Sequence, residues 1–257
     1  MLGTVSTLSV MSLNLRYASD AEPNSWATRR PVMAQLLMST LPTVIGTQEG
    51  LYGQLGDIAH DLPDHYDWIG LGRAGGSRDE FMAVFFDTIR VQPLEFDHEW
   101  LSDTPNVVAS RSWGNNVVRM VTWVRFADRL TGKQFVLVNT HFDHESANAR
   151  LCAAEFVRDR LAAQTLPVVV TGDFNDVPGS PAYATLTSIL TDTWVAGPQT
   201  TPAYGTFHGF GPPVPNGPRI DWILTRGAAV EAAAINAFQR DGQYPTDHLA
   251  VQALIRL

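Results

Sequence analysis

The sequence predicts an α/β protein built from strands in packed sheets with flanking helices. Apolar, β-branched runs of strand length recur from one end of the chain to the other. Helical patterns lie between some of them. The two kinds of segment are mixed rather than strictly alternating, which argues against a purely doubly wound sheet. No long linker, charge block or repeat divides the 257 residues. One domain over 1–257 is therefore expected, because sandwiches of this length commonly form single units.

Residues 5–13 read as a strand ending at Asn14. Arg30-Pro31 opens a helix toward Leu41, since a proline is tolerated in a first turn. Residues 43–47 form a short strand running into Gln48-Glu49, and 51–62 a helix. Residues 82–86, 117–126 and 135–139 are strands, with Gly132 suited to a hairpin turn between the last two. Residues 147–163 form an amphipathic helix, with Leu151, Ala154, Val157 and Leu161 on one face. Residues 166–171 are a β-branched strand leading straight into Gly172-Asp173. Residues 220–224 and 249–255 are the last strands. The stretch 197–218, rich in Gly and Pro, is a loop, and a loop this long is more often functional than idle.

With 45% hydrophobic residues the chain buries a large core without covalent staples. Its one cysteine, Cys152, forms no internal disulfide and reads as a small helix residue. The net charge of −8 disfavours a long nucleic-acid grip, which calls for a basic face, but leaves room for a short oligonucleotide. The same acidity suits carboxylates gathered around a cation. No apolar run reaches the roughly twenty residues of a membrane span. Residues 1–10 lack Lys, Arg and a long apolar block, so a cytoplasmic location is expected. Monomer is the default state.

The informative pattern is positional. Residues able to bind metal or move protons sit repeatedly at predicted strand ends: Asn14, Glu49, the run His141-Phe142-Asp143-His144, Asp173 with Asn175, Asp221, and Asp247-His248. Strand ends on one sheet edge converge in space. Each residue alone is commonplace, since a strand-end Asn, Asp or Glu often serves a turn. Their joint placement matches phosphoester hydrolysis. Hard divalent cations prefer carboxylate and amide oxygens, so Glu49 is the candidate ligand, helped by Asn14 and Asp247. Asp173 is the candidate base for an attacking water. Asn175 orients the nucleophile if its segment stays extended. His141 and His248 donate to phosphoryl oxygens, with Asp221 or Asp247 as an orienting partner. Arg119 is the first choice among Arg16, Arg119 and Arg219 for a phosphate clamp, and Asn14 also faces substrate.

These motifs resemble the endonuclease/exonuclease/phosphatase superfamily. The matching pieces are Ser12-Leu13-Asn14, Gln48-Glu49, Asn139 to Asp143, Thr171 to Asn175, Arg219 to Leu224 and Thr246-Asp247-His248. They occur in the family's order over nearly the whole chain. The resemblance implies a four-layered sandwich: two mixed β-sheets face to face, helices on both outer faces. It implies Mg²⁺ or Mn²⁺ at Glu49, Asp173 and Asn175 on the nucleophile side, catalytic roles around His141 and Asp143, and an Asp247-His248 pair at the phosphate. The inositol phosphatase branch carries a cysteine before the penultimate Asp, where this chain has Ile220. Nuclease branches often carry an acid where this chain has Arg16. The Trp100 to Pro105 segment, with Asn24-Ser25-Trp26 and Arg29-Arg30-Pro31, is similar to a compact bacterial subgroup nearer the deadenylases than the sphingomyelinases.

The leading expectation is a hydrolase of a small phosphoester or nucleotide. The alternatives are a nuclease of the deadenylase or endonuclease kind, and a non-catalytic binding protein on the same fold. The intact residue set argues against the last.

Overall fold

The computed structural model describes residues 7–257, so the first two residues of the expected opening strand lie outside it. The element order is β1 (Thr7–Asn14), α1 (Trp26–Thr40), β2 (Val44–Gln48), α2 (Tyr52–Asp61), β3 (Tyr66–Ile69), β4 (Val84–Asp87), β5 (Val91–Trp100), β6 (Met120–Asp128), β7 (Gln134–His141), α3 (Ala147–Ala162), β8 (Val168–Asp173), α4 (Pro181–Thr187), β9 (Thr191–Asp192), α5 (Thr193–Ala196), β10 (Asp221–Arg226), β11 (Ala229–Asn236) and β12 (Ala250–Arg256).

Two six-stranded sheets result, in the orders β11-β12-β1-β2-β4-β3 and β5-β6-β7-β8-β10-β9. Each is mixed: β1–β2 and β7–β8 are parallel, and their other neighbours are antiparallel. Parallel neighbours need a crossover. Here α1 makes one and α3 the other.

Three hydrophobic clusters define four layers. Leu36, Leu37, Leu55 and Ile58 of α1 and α2 pack on Met11, Leu13 and Ile45 of the first sheet. Val157, Leu161 and Leu186 of α3 and α4 pack on Val136, Val138 and Val170 of the second. Between the sheets lie Leu8, Val10, Val44, Phe126, Leu137, Val169 and Ile223. The four-layered sandwich implied by the motifs is the observed fold.

The period-2 alternation of strands explains where chemistry appears. Along β1, Leu8 and Val10 face the opposite sheet, and the same face continues as Ser12 and Asn14. Along β7 it runs Phe135, Leu137, Asn139, His141, and along β8 Val169, Thr171, Asp173. At one end of the sandwich the inter-sheet layer thus turns from apolar to polar. Just below that end, Asn139 Nδ2 donates to the carbonyls of Thr47 (2.8 Å) and Ala83 (3.0 Å). Its Oδ1 accepts from Gln48 Nε2 (2.8 Å) and Thr171 Oγ1 (3.1 Å). Every atom of this buried amide is used, so it joins β7 to β2, to β8 and to the residue that precedes β4 without a desolvation penalty left open. Gly46 makes room for it, since a β-carbon there would fall 2.0 Å from Thr171 Oγ1.

Several local expectations change. The first helix starts at Trp26 rather than at Pro31. The Ser25 hydroxyl accepts from Thr28 N (3.2 Å) and caps it earlier, leaving Pro31 inside the helix. Strands β3, β5 and β11 were not expected. Exposed polar residues in β5 and an alanine run in β11 hide the apolar signal of a half-buried strand. The segment 197–218 is irregular as expected, and Gly132 (φ 71°) turns the β6–β7 hairpin.

Asp128 closes that hairpin. Burial pushes its carboxyl up. Hydrogen bonds from Arg90, Thr131 and the Leu130 amide outweigh burial and leave it lowered to about 2. A depressed native value stabilises the fold above the carboxyl's unfolded range, and the gain is lost as pH falls through the native value. Asp128→Asn should therefore lower the melting temperature at pH 7 and narrow its gap to wild type between pH 4 and pH 2, a comparison scanning calorimetry makes directly.

Candidate active site

The polar end of the sandwich opens into a cavity of about 370 Å³. Glu49, Arg119, His141, Asp173, Asn175, Asp247 and His248 line it, together with Arg16, Tyr17, Arg73, Glu80 and His144. Asn14, His141 and Asp173 end β1, β7 and β8, and Glu49 follows β2 directly. Asp221 opens β10, paired in register opposite Asp173. Six segments spread over the chain thus meet at one end of the sandwich, contributed by both sheets rather than by a single sheet edge.

Asp173 is the hub. Its Oδ2 accepts from Asn14 Nδ2 (3.0 Å) and lies 3.4 Å from His141 Nε2 and 3.8 Å from His248 Nε2. The same Asn14 amide donates to Glu49 Oε1 (3.0 Å), and its Oδ1 accepts from Arg16 N (2.9 Å). Asn14 therefore orients both carboxylates, and its oxygen, with one lone pair taken by Arg16 N, keeps the other for a ligand. Burial, and then the neighbouring Asp221 charge, raise the Asp173 carboxyl above the usual range.

The two imidazoles differ. Burial works against a charged His248, but its Nδ1 stands 2.9 Å from Asp221 Oδ2, and the Asp221 charge raises the ring well above its ordinary value. The pairing with Asp221 thus favours the protonated His248 ring. The orienting partner is Asp221 rather than Asp247, which the resemblance had paired with it. Burial, reinforced by the Arg119 charge, lowers His141 well below its ordinary value, so that ring is neutral.

The Asn175 segment does not stay extended. β8 ends at Asp173, Asn175 takes a left-handed conformation (φ 50°), and its N–H donates to Asp173 Oδ1 (3.0 Å). This Asx turn still delivers the side chain to the cavity. The amide lies 3.0 Å from His141 Nε2 and donates to the Phe142 carbonyl (3.0 Å). Glu49 and Arg16 are also left-handed (φ 63° and 50°). Non-glycine residues held this way cost about 1–3 kcal/mol each and persist where the surroundings fix them.

Asp143 stands behind the cavity wall. Its Oδ1 accepts from the Glu145 and Ser146 amides, and its Oδ2 lies 3.7 Å from Arg119 Nε. It braces the turn into α3 and holds Arg119, which faces the cavity and bonds His144 Nδ1 (2.9 Å). Arg119 Nη1 is buried without a hydrogen-bond partner, a donor still to be used. Arg219 points elsewhere and pairs with Asp192 (2.8 Å).

Hard oxygen donors for a cation are present. Glu49, Asp173 and His141 bring ligand atoms within 4.8 Å of one another. Asp247 is tied to the same corner through Arg16, which lies 3.8 Å from Asp247 and 3.9 Å from Glu49. This corner fits a divalent ion that prefers carboxylates. The second group, Asp173, Asp221 and His248, is already an internally bonded pair and fits one less well.

Arg73, Glu80 and Tyr17 lie outside the motifs, and His144 enters them only as the last residue of the run from His141. Four glycines within residues 70–76 marked a special turn around Arg73, the one sequence signal that pointed there.

The geometry has close parallels among known proteins. The model of the endonuclease/exonuclease/phosphatase family matches residues 11–248. A member of that family from Bacteroides vulgatus superposes with a TM-score of 0.92 at 30% identity, covering 98% of this chain and 99% of its own. A mannosyl-6-phosphatase of Bacteroides thetaiotaomicron gives 0.91 at 31% identity, covering 97% and 100%. The catalytic domain of human nocturnin, at 16% identity and a TM-score of 0.75, shares the fold. No curated protein matches the chain by sequence. Among the described residues no helix is long and apolar enough to cross a membrane. A fold, a site and a family signature that coincide over nearly the full length lead to one assignment: the chain belongs to the endonuclease/exonuclease/phosphatase family.

Proposed function

We propose that the protein is a divalent-metal-dependent phosphoester hydrolase acting on a small phosphoester. One observation carries this reading. Asp173 stands where the cation corner and the histidine pair meet, bonded to one through Asn14 and facing the other through His248.

Glu49, with Asp247 tied to the same corner through Arg16, would hold Mg²⁺ or Mn²⁺. When bound, such an ion neutralises a phosphoryl oxygen and stabilises the departing one. Asp173, with its raised carboxyl, takes the proton of an attacking water. Asn175 and His141 fix that water and a phosphoryl oxygen. His248, kept charged by Asp221, donates to another. Arg119 offers its unused N–H to the same group.

The cavity volume suits a monomeric substrate, since small-ligand sites run about 300–1,000 Å³. The net charge of −8 also favours a small ester over a polynucleotide. A similar protein that is a mannosyl-6-phosphatase points the same way.

A panel of nucleotides, sugar phosphates and short oligonucleotides tests this. Turnover of a small ester with Mg²⁺ or Mn²⁺, abolished by chelator and restored by the metal, is expected. Silence on every ester with both metals would overturn the reading. Tight, salt-sensitive binding and cleavage of single strands would replace it with a nuclease.

A further inference from the structure

The cavity wall carries an ion pair that the chemistry above does not use. Arg73 and Glu80 face each other as a two-pronged fork, Nη1 to Oε2 at 2.8 Å and Nη2 to Oε1 at 3.1 Å. Their side chains are only 12% and 14% exposed, yet both line the cavity that holds Asp173.

Their placement is firmly built. The turn between them closes through Gly72 N to the Gly76 carbonyl (2.8 Å) and Arg73 N to the Glu80 carbonyl (2.9 Å). Gly72 allows this turn, because a β-carbon would fall 2.1 Å from the Arg78 carbonyl. Trp100 Nε1 donates to the Arg73 carbonyl (2.8 Å). Phe81 N donates to the Gly50 carbonyl (2.8 Å), which fixes Glu80 beside the segment of Glu49. Asp79 stands 3.0 Å from Arg73 Nε. Backbone bonds already close the turn, so the ion pair is not needed as its staple.

The fork leaves each Arg73 terminal nitrogen one N–H and each Glu80 oxygen a lone pair. On each side of the fork one donor then stands beside one acceptor. Two neighbouring hydroxyls match such a side, one donating to the carboxylate and the other accepting from the guanidinium. A second phosphate would meet the Glu80 and Asp79 charges. An alkyl group would leave a desolvated ion pair without partners. We infer that Arg73 and Glu80 recognise the leaving group, and that the substrate is a phosphoester whose alcohol carries adjacent hydroxyls, as in a sugar phosphate. This rests on the phosphoesterase reading.

Kinetics of Glu80→Gln, with Arg73→Lys as a second variant, test it against two probes. Mannose 6-phosphate carries the hydroxyls and p-nitrophenyl phosphate lacks them. The ratio of kcat/KM for the sugar ester to that for the aryl ester should fall about 30-fold or more in each variant, chiefly through KM of the sugar ester. An unchanged ratio, or equal losses on both esters, would overturn the inference, because a merely structural role affects both alike. Circular dichroism identifies a variant that fails to fold. If wild type hydrolyses neither ester while it turns over another member of the panel, the phosphoesterase reading stands and binding is measured instead; silence on the whole panel means that reading has failed. Calorimetric titration of mannose 6-phosphate then decides: binding weakened about 30-fold in Glu80→Gln upholds recognition by the pair, and equal or absent binding rejects it.

Discussion

Asp173→Asn is expected to lower turnover by about 10³-fold while leaving the fold intact, the range that loss of a positioned general base produces. The asparagine keeps the shape and can still meet the Asn14 amide, which stands 3.0 Å from the carboxylate. It cannot take a proton from water. Stability should not fall with activity. Burial and the Asp221 charge raise the native carboxyl, so the ionised group costs stability at neutral pH. A neutral amide removes that cost, and its NH2 gives up one of the two acceptances, from Asn14 or from the Asn175 N–H, which works the other way. The variant should therefore melt close to wild type at pH 7 while single-turnover hydrolysis collapses. Unchanged turnover would remove Asp173 from the reaction. A collapsed fold would make it structural.

The second large effect is expected at a residue that does not line the cavity. Asp221 lies behind His248 and holds its Nδ1 at 2.9 Å. His248 is buried (6% exposed), and burial alone would strip its proton. Asp221→Asn removes the charge that keeps the proton and offers an amide that can invert the ring's hydrogen-bonding sense. Comparable aspartate-to-asparagine changes behind a catalytic histidine cost about 10⁴-fold in serine proteases, so a loss of about 10²–10⁴-fold is expected here. The loss should fall on kcat rather than KM, because the ground-state contacts of Arg119 and Asn175 remain. A fall confined to KM, or none, would show that His248 keeps its proton without Asp221.

Much of this site was legible because strand ends carry information in one dimension. A strand that turns polar on its last inward positions, as at Asn14, His141 and Asp173, announces an edge. Two such strands joined by a helix must be parallel and so bring those ends together. Asp247 and His248 were legible as a pair of residues, but not as separate roles. Which carboxylate holds the ring depends on the register of β10 against β8, which places Asp221 opposite Asp173. The Asn175 turn was misread for a related reason. Nothing in Gly172-Asp173-Phe174-Asn175 says that the strand stops at Asp173, whose own carboxylate then captures the Asn175 amide. Arg73 and Glu80 were missed because they belong to a loop whose contacts run to Gly50 and Trp100, distant in sequence. The helix start was misplaced because the Ser25 cap won over the proline.

A crystal soaked with Mn²⁺ and inorganic phosphate tests the central claim most directly. The anomalous signal of manganese should appear at the carboxylate of Glu49. The phosphate should lie within hydrogen-bond reach of His248 and Asn175, with Asp173 between the two. Manganese elsewhere on the surface, or phosphate bound away from His248, would contradict a single phosphoryl-transfer centre at this end of the sandwich.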